Sequence, residues 1–153
     1  MRQRGNNKHT VTAAAFIEAA PERVYSIIAD YRNGHPRILP GEYDGLIVER
    51  GGLGAGTIIR FGMRLLGKTQ TYRAAITEPE PGRVLVETVL DGKGVTTIFT
   101  VRPGPGGLKS DVTISTEVPV RHGLLGAVER FLATRFLRQI FRKQLTLLAE
   151  RAK

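Results

Sequence analysis

His122-Gly-Leu-Leu-Gly-Ala-Val-Glu-Arg-Phe-Leu-Ala-Thr-Arg-Phe-Leu-Arg-Gln-Ile-Phe-Arg-Lys-Gln-Leu-Thr-Leu-Leu-Ala-Glu-Arg-Ala-Lys153 closes the chain and reads as one long apolar and basic helix. Almost everything between Tyr43 and Val118 reads as short strands. A lone long helix after many strands has to lie across the sheet they form, because neither element can otherwise hide its apolar side from water. The expected class is therefore α+β, with the site between sheet and helix.

Working back from that helix, strands are expected at Tyr43 to Glu49, Thr57 to Leu66, Lys68 to Glu78, Arg83 to Leu90, Val95 to Arg102 and Leu108 to Val118. Glycine- and proline-rich turns separate them, the signature of consecutive antiparallel hairpins. A first strand is expected from His9 to Ala19, making seven. Pro21 beside Glu22 starts a short helix that ends near Asp30, and the prolines and glycine of Tyr31 to Pro40 allow one further helical turn.

The 153 residues suit a single domain, 9–153, behind a flexible basic N-terminal stretch, 1–8. The chain has no cysteine, which excludes disulfides and thiolate chemistry. No run approaches the roughly 20 apolar residues that span a bilayer, and the polar start lacks a signal peptide. A cytoplasmic protein is expected, with peripheral membrane contact as an option. The net charge of +9 resides at the ends: +3 in residues 1–9, +6 in residues 119–153 and zero between. Such asymmetry suits either a solvated, solubilising face or an anionic partner, membrane or RNA; no DNA partner is expected.

Gly51, Gly52, Gly54 and Gly56 suggest a phosphate loop, but they lead into a strand and not into a helix N-terminus, so a turn is expected. Strand alternation then assigns faces, taking each charged residue to mark the wet side. Arg60 and Arg64 turn Ile59, Phe61, Met63 and Leu65 inward, and Arg73 turns Gln70, Tyr72, Ala74 and Ile76 inward. Glu87 and Asp91, read as outward, place Val84, Val86, Thr88 and Leu90 inside. Arg102 does the same for Val95, Thr97, Phe99 and Val101; Lys109, Asp111 and Glu117 do it for Val112, Ile114, Thr116 and Val118. The inward hydroxyls and amide either bond locally or dot the wall of an otherwise apolar cavity.

This inward set holds no carboxylate, lysine or histidine. His9, His35 and His122 lack metal-ligand spacing and no Ser/His/Asp arrangement is readable, so neither metal nor cofactor is expected. His35, read mainly as a surface-loop residue, and Tyr72 are the catalytic candidates should the cavity do chemistry. In the last helix, Leu124, Leu125, Val128, Phe131 and Leu132 form one stripe, while Phe136, Leu137, Ile140, Phe141, Leu147 and Leu148 form another about half a turn away. Either the helix breaks near Ala133-Thr134 or one stripe meets a ligand, subunit or lipid. The expectation is that the second packs on the sheet and the first, through Leu125, Val128 and Leu132, closes the cavity.

This order of elements, with Ala20-Pro21-Glu22-Arg23-Val24-Tyr25, Asp30-Tyr31, His35-Pro36-Arg37-Ile38-Leu39-Pro40 and Gly54-Ala55-Gly56-Thr57, resembles the START/Bet v 1-like (SRPBCC) superfamily. The chain is most similar to its polyketide cyclase/dehydrase and coenzyme Q-binding branch. The resemblance implies a helix-grip fold, a curved antiparallel sheet wrapped around the C-terminal helix with a hydrophobic cavity between them. Members include lipid and quinone carriers, hormone and allergen binders, aromatase/cyclases and a ribosome-associating toxin. Three functions are therefore expected in order: binding or transport of a small hydrophobic molecule; cyclisation or dehydration of a polyketide in the same cavity; and docking of the basic helix on membrane or ribosome.

Overall fold

The computed structural model describes residues 8–65, 67–92, 94–120 and 122–153. Residues 1–7 and the side chain of Leu65, on which two expectations fall, lie outside what is described. The elements follow in the order β1 (Lys8–Ile17), α1 (Pro21–Ala29), a 3-10 turn (His35–Ile38), β2 (Tyr43–Arg50), β3 (Ile58–Leu65), β4 (Lys68–Glu80), β5 (Val84–Val89), β6 (Thr96–Pro103), β7 (Ser110–Pro119) and α2 (Gly123–Arg151). Lys8, expected in the N-terminal stretch, opens β1 opposite Pro119. A short 3-10 turn at Pro105–Gly107 lies within the expected turn before β7.

All seven strands form one antiparallel sheet in the order β1-β7-β6-β5-β4-β3-β2. Five of the six neighbouring pairs are hairpins in the order the turns dictate, but β1 pairs with β7, about a hundred residues away in sequence, and so becomes one edge of the sheet. Glycine earns its place in the β2–β3 connection, where Gly54 has a φ of 56° and a Cβ would run into the Glu78 carboxylate. Its amide bonds the Ala29 carbonyl, and the Gly52 carbonyl accepts from Tyr31 N–H, which pins this loop against the end of α1.

The helix α2 runs unbroken for 29 residues, so the expected break at Ala133-Thr134 is absent. Both sheet edges hold it. At the β1 edge His9 Nε2 and Thr134 Oγ1 share a hydrogen bond of 2.6 Å; beside β2, Lys143 Nζ donates to Glu42 Oε1 at 2.6 Å. At its far end the unpaired carbonyls of the last turn need donors. Arg23 of α1 supplies them, reaching the carbonyls of Arg151, Ala152 and Lys153. Ile140, Phe141, Leu145 and Leu148 are buried on the sheet-facing side together with Ile17, Val24, Ile28, Leu85, Phe99, Val101 and Val112. Each such side chain contributes about 1.5–3 kcal/mol by leaving water. The second stripe thus packs as expected.

The first stripe does not. Leu124 is 84% exposed, Leu125 66%, Val128 50%, Phe131 63% and Leu132 57%. At about 100° per residue these five lie opposite Gly126, Leu137, Ile140, Gln144 and Leu148, the line that turns to the sheet. The expectation that Leu125, Val128 and Leu132 close the cavity is therefore overturned. In an unbroken helix held by its second stripe, a stripe half a turn away has to face outward.

Candidate functional site

The inward row of the sheet is given by its register. Ala74 and Ile76 are buried on β4, and they pair with Val89 and Glu87 of β5; Leu85 pairs with the buried Phe99 and Glu87 with Thr97 of β6. Leu85, Glu87 and Val89 therefore point inward. Val86 and Thr88, with Val84 and Leu90, belong to the opposite face, and their placement as cavity residues is corrected. In Val84-Leu-Val-Glu-Thr-Val89 both alternations are mainly apolar, so the assignment rested on the charges of Glu87 and Asp91, and Glu87 has partners inside.

Those partners come from the segment after α1. Tyr31 Oη donates to Glu87 Oε1 at 2.6 Å, and His35 Nε2 lies 3.3 Å from the same oxygen. His35 Nδ1–H donates to the Ile28 carbonyl at 2.7 Å, which fixes the ring. The ring stacks on Tyr31, with centroids 4.3 Å apart, and meets Phe99 edge-on at 5.6 Å. His35 is 2% exposed, so its reading as a surface-loop residue is also corrected. A carboxylate largely withdrawn from water needs hydrogen-bond donors, and Glu87, its side chain 15% exposed, has the Tyr31 hydroxyl.

Burial and then the Glu87 charge push the Tyr31 hydroxyl well above its ordinary range, so it stays neutral and serves as a donor. Tyr43 is raised in the same direction by burial, with Glu87 and Glu42 adding to it. Tyr43, Phe61 and Tyr72 then continue the aromatic line toward the β3–β4 hairpin, each ring 5.8 Å from the next.

Of the remaining expected cavity residues, Ile59, Phe61, Ala74, Phe99, Ile114 and Thr116 are inward and buried. Met63, Tyr72 and Thr97 are half-buried, and Gln70 is exposed at the end of the sheet. Two of the inward hydroxyls bond each other: Thr97 Oγ1 and Thr116 Oγ1 are 3.2 Å apart, and Thr116 Oγ1 donates to the Thr96 carbonyl at 2.6 Å. The inward wall thus has two zones. Near α1 it is closely packed around His35, and Glu87, its side chain 15% exposed, borders a zone that stays partly open toward Met63, Tyr72 and Thr97. Along the first half of α2 the line on the sheet-facing side carries the buried Gly126, the exposed Arg130 and the half-buried Ala133, with Phe136 and Leu137 beyond.

Sequence reasoning missed Glu87, Tyr31 and Tyr43. A usable signal existed for Glu87, since Leu85 and Val89 share its parity. Among the described residues no cluster of His, Asp and Glu could hold a metal ion, and no helix is long and apolar enough to cross a membrane.

A seven-stranded curved sheet gripping a long C-terminal helix is the helix-grip architecture of START and Bet v 1 proteins. The family profile described as polyketide cyclase / dehydrase and lipid transport matches residues 8–153, so the chain belongs to that family. The KanY protein, known from an NMR solution structure, is 25% identical with a TM-score of 0.82, over 95% of this chain and 98% of its own. The Zhui aromatase/cyclase from Streptomyces sp. R1128 is 14% identical with a TM-score of 0.77, over 95% and 94% of the two chains. A START superfamily protein from Mycobacterium smegmatis is 19% identical with a TM-score of 0.73, over 94% and 97%. No curated protein matches the chain in sequence.

Proposed function

We propose that the protein binds or carries a small hydrophobic molecule, a lipid, quinone or polyketide-like aromatic, between the open zone of the sheet and the first half of α2. One observation supports this reading: Met63, Tyr72 and Thr97 belong to the inward row of the sheet yet stay half-buried, while Ile59, Ala74, Phe99 and Ile114 of the same row are sealed. Family membership supports it at the level of chemical class. The phenols and the Thr97 hydroxyl orient a carbonyl or hydroxyl of the guest, and apolar contact supplies the affinity.

Native mass spectrometry of the purified protein, followed by titration with a fatty acid, a quinone and a polycyclic aromatic, tests this. The expected result is a stoichiometric complex with one class, lost in Ala133→Phe while the fold persists. Failure of all three to bind the native chain would overturn it.

A second reading, a cyclase or dehydratase, is favoured by the inward Glu87 with its Tyr31 and His35 partners. Such a carboxylate and imidazole are an acid–base pair of the kind enolisation requires, and holding a reactive chain in one shape contributes further. Here Glu87→Gln retains ligand and loses turnover. Turnover that survives Glu87→Gln, and also Tyr72→Phe with His35→Ala, leaves the carrier role alone.

A further inference from the structure

We infer that the outer face of α2 is a docking surface for a bilayer rich in anionic phospholipid. The five apolar residues Leu124, Leu125, Val128, Phe131 and Leu132 lie on one side of the helix and are each half or more exposed. A contiguous apolar patch of this kind on an otherwise polar surface marks an interaction site. Continued along the helix at about 100° per residue, the same side carries Arg135, Gln139, Arg142, Lys143 and Thr146. One face is thus greasy for its first half and cationic for its second.

The cationic half is concave. An open groove of about 700 Å³ runs between Arg135, Gln139, Arg142 and Lys143 on one side and Pro40 and Gly41 on the other. Lys143 is held by Glu42 at 2.6 Å, so the groove keeps the two arginines as its net charge. A helix docked at a tilt, its N-terminal half the deeper, would use this division, with apolar side chains sunk to the level of the acyl boundary and arginines at the height of the phosphates. No described helix is apolar enough to span the membrane, so contact is confined to the surface.

The alternatives fit less well. An RNA duplex, with its bases stacked inside and phosphates outside, offers little to Leu124, Leu125, Val128, Phe131 and Leu132. A second copy laid stripe on stripe leaves the arginine-lined half unmatched. The inference does not depend on what fills the interior, because docking is read with the protein empty.

The test is flotation of the purified chain with vesicles of phosphatidylcholine alone and with vesicles in which about a third of the lipid is phosphatidylglycerol. Binding is expected to the second set and to fall as salt rises. Arg135→Gln with Arg142→Gln is expected to weaken it about thirty-fold, from two interfacial charges. Leu125→Ser with Phe131→Ser, which leaves the charge unchanged, is expected to weaken it at least about ten-fold. All four side chains are solvent-facing, so melting temperatures should stay at the native value, which separates docking from folding. The inference is overturned if the native chain ignores anionic vesicles or if the arginine pair changes nothing. It is equally overturned if sedimentation reveals a dimer that the Leu125/Phe131 variant dissolves, or if an RNA duplex binds more tightly than vesicles and ignores the apolar pair.

Discussion

Glu87 Oε1 accepts the Tyr31 hydroxyl and faces the His35 ring, so a carboxylate, a phenol and an imidazole meet where water is scarce. Their worth lies less in attraction than in the cost of parting them. Glu87→Gln keeps that oxygen for the Tyr31 hydroxyl and removes only the charge facing His35, and should change stability by less than about 1 kcal/mol. Glu87→Leu orphans both partners and should cost about 2 kcal/mol, a fall in Tm of roughly 4–8 °C for a chain this size. Thermal melts of the two variants check this contrast; equal losses would mean that the carboxylate is solvated.

Glu42 behaves differently. Its hydrogen bond from Lys143 holds the carboxyl below the ordinary carboxylate range, against the opposing effect of burial. The unfolded chain therefore takes up the proton first as pH falls. This contribution is complete above the free glutamate value near about 4.3 and is lost as pH drops through the lowered folded value. Melts of the native protein and Lys143→Met should differ by a constant amount between neutral pH and about pH 5 and converge only once the pH has fallen through the lowered folded value.

At the scale of the element, α2 has two apolar faces with opposite duties. Leu148 and Phe141 are sealed against the sheet, and Leu148→Ala should cost about 3 kcal/mol through lost burial and a cavity. Leu125→Ala with Leu132→Ala should leave the Tm within a degree or two, since both side chains are more than half exposed. A large loss from that pair in chemical denaturation would mean that the first half of the helix folds down onto the protein. β5 teaches the converse lesson about alternation. Every position but one of Val84–Val89 is apolar or threonine, so the strand satisfies either face, and only the pairing of Glu87 with Ile76 and Thr97 decides between them.

For the whole molecule, the sheet grips α2 from both edges, through His9 with Thr134 and through Glu42 with Lys143. The end nearer α1 is packed and the opposite end is looser. A guest bound in the looser end should stabilise the folded state by mass action, about 2.7 kcal/mol at a hundred times its Kd. The Tm should therefore climb with ligand concentration for the native chain and not for Ala133→Phe. Hydrogen exchange should slow most in the β3–β4 hairpin and the first half of α2, and unchanged protection there would argue for binding elsewhere.

The element order, strand boundaries within a few residues, and the long terminal helix were all legible locally, because turn chemistry and the periods of two and 3.6 residues are written into neighbouring side chains. So were the wet faces of β3, β4, β6 and β7, where arginine, lysine and acids alternate with aliphatics. What needed the tertiary structure was every decision made by a distant partner. Glu87 turns inward because Tyr31 and His35, more than fifty residues earlier, wait for it. The first stripe of α2 turns outward because the second, farther along the same rigid rod, has already taken the sheet. Alternation says that two faces differ; only packing against the rest of the chain says which of them is inside.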